Sequence, residues 1–91
     1  MELTPIKWSS YMLYRMKERG YDAVKIEEIV RRSSERDMDT ESGRTAIIGR
    51  HDERLVMISI EGGDKEIEPV TVHATTRQQI RFRLQSGRFQ V

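Results

Sequence analysis

The sequence predicts one α+β domain with two N-terminal helices, an antiparallel sheet of three or four strands, and a C-terminal helix. Three observations support this fold class. Apolar residues recur at helical spacing up to residue 32, alternate at the strand period between residues 44 and 74, and return to helical spacing from residue 77. Because 91 residues suit one domain and not two, we expect residues 1–91 to form a single unit.

Two amphipathic helices are expected before residue 33. Ser9 or Ser10 can cap the first helix, and Gly20 can end it in the left-handed conformation. Its apolar residues are Met12, Leu13 and Met16. Asp22 is the expected N-cap of the second helix. The apolar residues of that helix follow helical spacing at Ala23, Ile26, Ile29 and Val30.

The middle of the chain is predicted to form the sheet. Residues 44–50 and 54–61 are expected strands joined by a tight turn, in which His51 is expected to be solvated. The second of these strands is apolar on both faces, which indicates a central position. A short additional strand near residues 36–39 would bring the sheet from three strands to four.

A further strand is predicted over residues 66–74. It contains Pro69, which cannot donate a ladder hydrogen bond and therefore indicates an edge strand or a bulge. Alternation divides this strand into two faces, one with Val70, Val72 and Ala74 and the other with Thr71 and His73.

The last predicted element is a helix over residues 77–85, capped by Thr75 or Thr76. Ile80 and Leu84 are spaced i, i+4 and are expected to face the core.

Positive charge is concentrated at the end of the chain. Residues 69–91 contain four arginines and no acidic residue, whereas residues 1–68 contain 12 basic residues against all 15 acidic ones. The four arginines are Arg77, Arg81, Arg83 and Arg88.

This basic segment on a mildly acidic body indicates an anionic partner, with an ordinary solvated helix as the alternative. Other classes of site lack support. The sequence has no cysteine, no glycine-rich phosphate loop and no histidine pair at metal-ligand spacing, so we expect no metal and no cofactor. The longest apolar run, residues 55–58, is far below the ~18 residues of a membrane span. We expect a cytoplasmic protein.

The strand-to-helix junction after residue 72 is the most suggestive stretch for chemistry. Metal-independent RNA cleavage needs an acid or base near neutral pH and cations that stabilise the charge on phosphate. His73 ends the strand, and Arg77 and Arg81 follow on the next helix. The alternative is that His73 is an ordinary surface residue and that both arginines are simply solvated.

Several other side chains could contact RNA. Lys17 and Arg19 could reach an anion, although a charged outer helix face explains them equally well. The aromatic residues Trp8, Tyr11 and Tyr14 could stack on bases or pack at the edge of the core. Phe82 either packs beneath the C-terminal tail or is available to a partner.

The sequence also resembles the small BrnT-like proteins and a related uncharacterised family near the RelE-type toxins. The resemblance is carried, in order, by Ile6-Lys7-Trp8-Ser9, Met16-Lys17-Glu18-Arg19-Gly20-Tyr21, Ser42-Gly43-Arg44, Ile48-Gly49-Arg50, Arg54-Leu55-Val56-Met57 and residues 69–77. It implies a RelE-like fold and a cytoplasmic bacterial toxin that cleaves RNA and is neutralised by a small antitoxin protein.

Within this resemblance, Arg50 and Arg77 match basic positions of the pattern. Three positions depart from it: Arg19 stands where the pattern has histidine, His73 where it has arginine, and Gln79 where it has glutamate. The leading hypothesis is a metal-independent endoribonuclease, and the alternative is a non-catalytic RNA- or protein-binding module. In the first, the catalytic residues are His73, Arg77 and Arg50, and the RNA-binding residues are Arg81, Arg19, Lys17 and Arg83. A homodimer or an antitoxin complex is expected.

Overall fold

The computed structural model describes residues 4–91 and confirms the α+β class. Two helices precede a five-stranded antiparallel sheet, and a third helix follows the fourth strand in the chain and precedes the fifth. In chain order the elements are α1 (Ser10–Arg19), α2 (Ala23–Arg32), β1 (Arg36–Asp39), β2 (Thr45–His51), β3 (Arg54–Gly62), β4 (Ile67–Ala74), α3 (Arg77–Gln85) and β5 (Phe89–Gln90). The strands lie in the order β4-β3-β2-β1-β5, so β4 and β5 form the two edges.

The helix ends follow local rules that the sequence predicts. The side chain of Ser9 accepts a hydrogen bond from the backbone N–H of Met12, and Gly20 ends α1 at a φ of 76°. Asp22 caps α2 and Thr76 caps α3 in the same manner as Ser9 caps α1. These caps satisfy backbone groups that a helix leaves unpaired at its ends.

The main core lies between the sheet and the pair α1 and α2. Its buried members from the helices include Met12, Met16, Ile26, Ile29 and Val30, and those from the sheet include Ile47, Val56, Ile58 and Val72. Leu13 and Ala23 belong to the apolar stripes predicted to pack on the core, and this prediction is wrong for both, since their side chains are exposed. Leu13 lies about 100° round the helix from Met12, so the i, i+4 pair of methionines alone faces the sheet.

The close approach of α2 to the sheet depends on a residue without a side chain. A Cβ atom added to Gly49 would lie 2.5 Å from Cγ2 of Ile29. Such a distance is well inside van der Waals contact, so only glycine fits between α2 and β2 at this packing distance.

Strand β3 is central, as predicted, and strand β4 is an edge strand with an irregularity at Pro69. The register passes from Ser59 opposite Thr71 to Ile60 opposite Pro69, which leaves Val70 as an extra residue. The sequence pattern predicted that Val70 shares a face with Val72 and Ala74. This prediction is wrong for Val70, because the extra residue breaks the alternation. Pro69 is buried instead, and Val70 is half-buried.

Helix α3 covers the opposite face of the sheet, over a smaller cluster of buried residues: Ala46, Ile48, Met57, Ile80 and Phe89. Leu84 is exposed, so only Ile80 of the predicted pair faces this cluster. Phe82 is 68 % exposed and does not pack under the tail. Phe89 belongs to a fifth strand that the sequence did not predict, because two residues are too few to show periodicity.

None of the helices within residues 4–91 has the length and apolar character needed to cross a membrane.

Candidate nucleic-acid interface

His73 lies on the edge strand β4, where its side chain is exposed. It pairs across the ladder with Met57 of β3, and paired residues project from the same face of a sheet. Met57 belongs to the cluster under α3, so His73 starts from the α3 face. Within residues 4–91 the outer side of β4 is paired only at Ile67, by a bridge to Ile6, so neighbouring helices can reach His73 around the edge.

Arg19, the last residue of α1, reaches this edge and contacts two groups. Its Nη1 donates to the carbonyl oxygen of Val72 at 2.6 Å and lies 3.1 Å from Nδ1 of His73. A guanidinium can only donate, so Nδ1 of His73 accepts and the proton of the neutral ring is on Nε2. The imidazole is thereby held in one tautomer by a residue from a different element.

The environment of His73 favours the uncharged form of its ring. Partial burial is the largest cause that lowers its pKa below the usual value, and the positive charges of Arg19, Arg15 and Arg83 lower it further. Arg15 and Arg19 come from α1 and Arg83 from α3, so guanidinium groups approach His73 from both faces of the sheet. We call Arg15, Arg19, His73 and Arg83 the edge cluster.

Two arginines of the edge cluster, Arg15 and Arg83, are positioned by aromatic rings, and Arg15 also by an acid. The guanidinium carbon of Arg15 lies 5.7 Å from the ring centre of Tyr11, and Nη1 of Arg15 lies 3.0 Å from a carboxylate oxygen of Glu18. Arg83 lies 5.4 Å from the ring centre of Phe89. Its Nη1 is also 3.1 Å from the sulfur of Met57, the residue paired with His73.

A small cavity of about 20 Å³ lies beside the cluster, between α1 and β4. Its lining includes Tyr11, Arg15, Arg19 and His73. This volume is of the size that one water molecule occupies. The surface at the edge of β4 is therefore a small recess and not a deep pocket, which suits a chain passing over it better than an enclosed small molecule.

The structure does not bring the other two predicted catalytic residues to His73. Nη1 of Arg77 lies 2.6 Å from a carboxylate oxygen of Glu35, a contact that raises the pKa of Arg77. Arg50 lies on β2, separated from β4 by β3, and donates to the backbone oxygen of Glu53 at 3.1 Å. The prediction that Arg77 and Arg50 form a catalytic group with His73 is therefore not supported by these contacts.

The predicted RNA-binding residues divide in the same way. Arg19 and Arg83 belong to the edge cluster, and Arg81 lines an open groove of about 840 Å³ on α3 together with Arg83 and Phe82. Lys17 is exposed but lies about 200° round α1 from Arg15, away from the cluster. Arg15 was missed by sequence reasoning, although its i, i−4 relation to Tyr11 and i, i+4 relation to Arg19 could have indicated it.

The basic segment at the end of the chain is partly neutralised within the molecule. Arg88 lies 3.4 Å from a carboxylate oxygen of Asp39 and 2.9 Å from one of Glu41. Burial alone would raise the pKa of Asp39, but its hydrogen bonds, chiefly that from Arg88, hold the pKa below the usual value. Only Arg81 and Arg83 of the four terminal arginines are therefore left for an external anion.

His51 has a structural position that the sequence did not predict. It was expected to be solvated, but it is only 3 % exposed. Its Nε2 accepts a hydrogen bond from the backbone N–H of Asp22 at 2.8 Å, and its ring packs edge-on against Tyr21 at 5.2 Å between centroids. His51 thus ties the start of α2 to the end of β2 and takes no part in the edge cluster.

Across residues 4–91, no group of three or more histidine, cysteine, aspartate or glutamate side chains could hold a metal ion. Comparison with known proteins gave no matching family model, no matching curated relative and no matching solved structure. The candidate site is accordingly defined by its own geometry, and the likeness to BrnT and RelE-type proteins stays a prediction from sequence.

Proposed function

We propose that this protein binds RNA at the edge cluster, with arginine side chains on the phosphates. The observation that carries the proposal is the contact of Arg19 with His73 at the edge of β4, with Arg15 lining the same recess and Arg83 on Met57, the residue paired with His73. Within the described residues, Glu18 is the single carboxylate in contact with an arginine of this cluster. A surface with three cations and one acid attracts a polyanion.

Donor groups remain for such a ligand. Only Nη1 of Arg19 is engaged by Val72 and His73, so its Nε and Nη2 can form the two parallel hydrogen bonds that arginine makes with phosphate. The neutral ring of His73 offers Nε2–H as a further donor. The groove on α3 extends the same surface, since Arg83 belongs to both.

Binding of a labelled RNA of about 12 nucleotides, followed by fluorescence polarisation, tests this proposal. Arg19→Gln is expected to weaken binding about tenfold, because a charge-assisted phosphate contact is lost. The slope of binding constant against salt should become less steep by roughly 0.7 for each phosphate contact removed from a single strand.

Arg32→Gln is the matched control, since Arg32 is an equally charged, exposed residue at the end of α2. It should leave affinity within about twofold of the wild type, as expected for a surface charge outside the site. Equal loss of affinity in both variants would show that net charge, and not the edge cluster, controls binding. Wild-type protein that binds no RNA at low salt would refute the proposal.

A metal-independent ribonuclease is the second candidate function, and the state of His73 favours it. A neutral imidazole can take the proton of a ribose 2′-hydroxyl, and the guanidinium groups around it can stabilise the charge that develops on phosphate. Nδ1 accepts from Arg19 in the free protein, so a phosphate must first draw the Arg19 guanidinium away. The 2′-oxygen then attacks phosphorus, the 5′-oxygen leaves and is protonated by water, and a cyclic phosphate end remains.

Incubation of end-labelled RNA with EDTA, with and without ribosomes, tests this candidate. Wild-type protein should produce cyclic phosphate ends, and His73→Gln should bind RNA without cleaving it. Cleavage by His73→Gln at the wild-type rate would exclude His73 as the base. Intact RNA in the presence of bound wild-type protein would leave the binding module as the function.

We also propose a cellular role, that of a toxin neutralised by a small antitoxin protein and assembled as a homodimer or a complex. The sequence resemblance supports this role. We propose a cytoplasmic location, since the proposed ligand is RNA and the cysteine-free sequence needs no oxidising compartment. Growth arrest in a bacterial host after induction, lost in Arg19→Gln, would support the toxin role, and normal growth would argue against it.

A further inference from the structure

Tyr11 lies in the first turn of α1, next to the edge cluster, and its side chain is 60 % exposed. It shares one stripe of the helix with Arg15 and Arg19, at i+4 and i+8. It also lines the small cavity that His73 lines. Packing in the core does not explain an exposed aromatic ring that lies against Arg15 and lines the same recess as Arg19 and His73.

Tyr14 provides the contrast. It is 61 % exposed on the same helix, but its hydroxyl donates to a carboxylate oxygen of Glu18 at 2.9 Å. The carboxylate of Glu18 thus contacts Tyr14 directly, whereas it meets the Tyr11 side of the helix only through Arg15, whose charge it partly offsets. Tyr11 instead has the guanidinium of Arg15 at 5.7 Å from its ring centre, so a polyanion held by the cluster passes close to Tyr11.

We infer that Tyr11 is a stacking platform for an unpaired base, so that the edge cluster takes single-stranded RNA and not a duplex. This inference rests on the proposed function and adds the class of RNA to it. Stacking requires a base whose face is open, which only an unpaired nucleotide offers. A duplex can present its phosphates to the cluster but cannot present a base to Tyr11.

The positions along α1 suit this division of contacts. Tyr11 and Arg19 are separated by eight residues, which corresponds to about 12 Å along the helix axis. Base and phosphate contacts therefore fall at separate points, with Arg15 between them. One strand lying along α1 can meet all three side chains in sequence.

Two labelled probes of equal length separate the stacking contact from the phosphate contacts. One is an oligoadenylate, and the other has the same ribose-phosphate chain without bases. Wild-type protein should bind the oligoadenylate more tightly. Tyr11→Leu should weaken that binding roughly five- to tenfold, as the loss of one stacked base does, and leave affinity for the abasic chain unchanged.

Tyr14→Leu is the matched control, because it removes an equally exposed ring from the same helix. It should change neither affinity. Leucine favours the helix at least as well as tyrosine, so both variants should keep the wild-type unfolding temperature, which circular dichroism checks. An oligoadenylate duplexed with oligouridylate should bind with equal affinity to wild type and Tyr11→Leu.

The outcomes separate this inference from the proposed function. Equal wild-type affinity for both single-stranded probes, with no effect of Tyr11→Leu, overturns the stacking platform and leaves phosphate binding intact. Wild-type protein that binds neither probe overturns the proposed function itself. Equal losses in Tyr11→Leu and Tyr14→Leu also overturn the assignment to Tyr11.

Discussion

Nη1 of Arg19 lies 3.1 Å from Nδ1 of His73, and this contact joins residues that are 54 positions apart in the chain. It depends on two local features. Gly20 ends α1 so that Arg19 is its last residue, and β4 is an edge strand whose Val72 carbonyl is open to a side chain. The same guanidinium therefore occupies an unpaired strand carbonyl and sets the tautomer of the imidazole.

The first prediction concerns the ionisation of His73. Among the positive charges that lower the pKa of His73, that of Arg19 has the largest effect. Arg19→Gln removes this charge, so the pKa of His73 should rise in the variant. A two-dimensional NMR titration of the histidine ring protons measures it. His51 provides an internal reference signal in the same spectra, because it lies outside the edge cluster.

Arg32→Gln is the control for the general loss of one positive charge and should leave the His73 titration in place. An unchanged titration of His73 in Arg19→Gln would mean that the guanidinium does not hold the ring in solution. A fall in the pKa would contradict the assigned electrostatic cause.

The second prediction concerns acid stability at the junction of β1 and β5. Arg88→Gln should lower the free energy of unfolding by about 1 kcal/mol at pH 7, because Asp39 then lacks its partly exposed cationic partner. The folded pKa of Asp39 lies below its unfolded value, so this stabilisation is fully present above the usual pKa of 3.8. It is lost as the pH falls through the folded pKa.

Urea unfolding at several pH values between about 7 and 3 tests this dependence. The difference between wild type and Arg88→Gln should be constant at the upper end and shrink below about pH 4. Arg81→Gln, an exposed change on α3, should match the wild type throughout. A difference that persists unchanged in acid would show that Arg88 acts through packing and not through Asp39.

Local features of the fold were predictable, and long-range ones were not. Ser9, Asp22 and Gly20 set helix ends through contacts within a few residues, so the sequence alone indicates them. Phe89 joins the sheet only because β1 lies beside it, which no local pattern records. His51 is buried for a similar reason, since its partner at Asp22 is 29 positions away.

The candidate site shows the same limit. The sequence placed Arg77 with His73 because the two are close along the chain, but Glu35 of a distant segment binds Arg77. The residues that surround His73 come instead from α1, whose position depends on how the two N-terminal helices pack on the sheet. Sequence identified His73 and Arg19 as separate candidates, and only the fold joins them.

The third prediction concerns Asp37, a buried carboxyl group on β1. Burial, and then the negative charge of Glu35, raises the pKa of Asp37. Within residues 4–91, no basic side chain lies within 4 Å of the Asp37 carboxylate. Asp37→Asn should therefore stabilise the protein at pH 7, since it removes a negative charge that partial burial and the charge of Glu35 disfavour.

The sign of the effect fixes its pH dependence. A folded pKa above the unfolded one means that the penalty is present once the pH exceeds the folded value and is absent below the unfolded value near 3.8. The stabilisation by Asp37→Asn should thus disappear in acid. Arg88→Gln shows the opposite sign, since its destabilisation disappears in acid. Asp64→Asn, in an exposed turn, is the control and should have no effect. Destabilisation of Asp37→Asn at pH 7 would contradict the prediction.

The fourth prediction concerns the contact between α2 and the sheet at Gly49. Gly49→Ala should lower the free energy of unfolding by about 1–3 kcal/mol, because the new methyl group overlaps Cγ2 of Ile29. Ile29→Ala alone should cost about 2–4 kcal/mol through lost burial. The double variant Gly49→Ala with Ile29→Ala should lose less than the sum, since the second change removes the overlapping atoms.

A double-mutant cycle from urea unfolding measures this coupling, and residues in direct contact typically couple by about 0.5–3 kcal/mol. Gly63→Ala with Ile29→Ala serves as the control pair, because a Cβ atom at Gly63 meets nothing within 4 Å and the two sites share no contact. That pair should be additive even though Gly63 has a positive φ of 132° and pays its own backbone cost. Additivity in the Gly49 cycle would mean that α2 moves away from the sheet to accept the methyl group, and RNA binding at the distant edge of β4 would then report whether α1 moves with it.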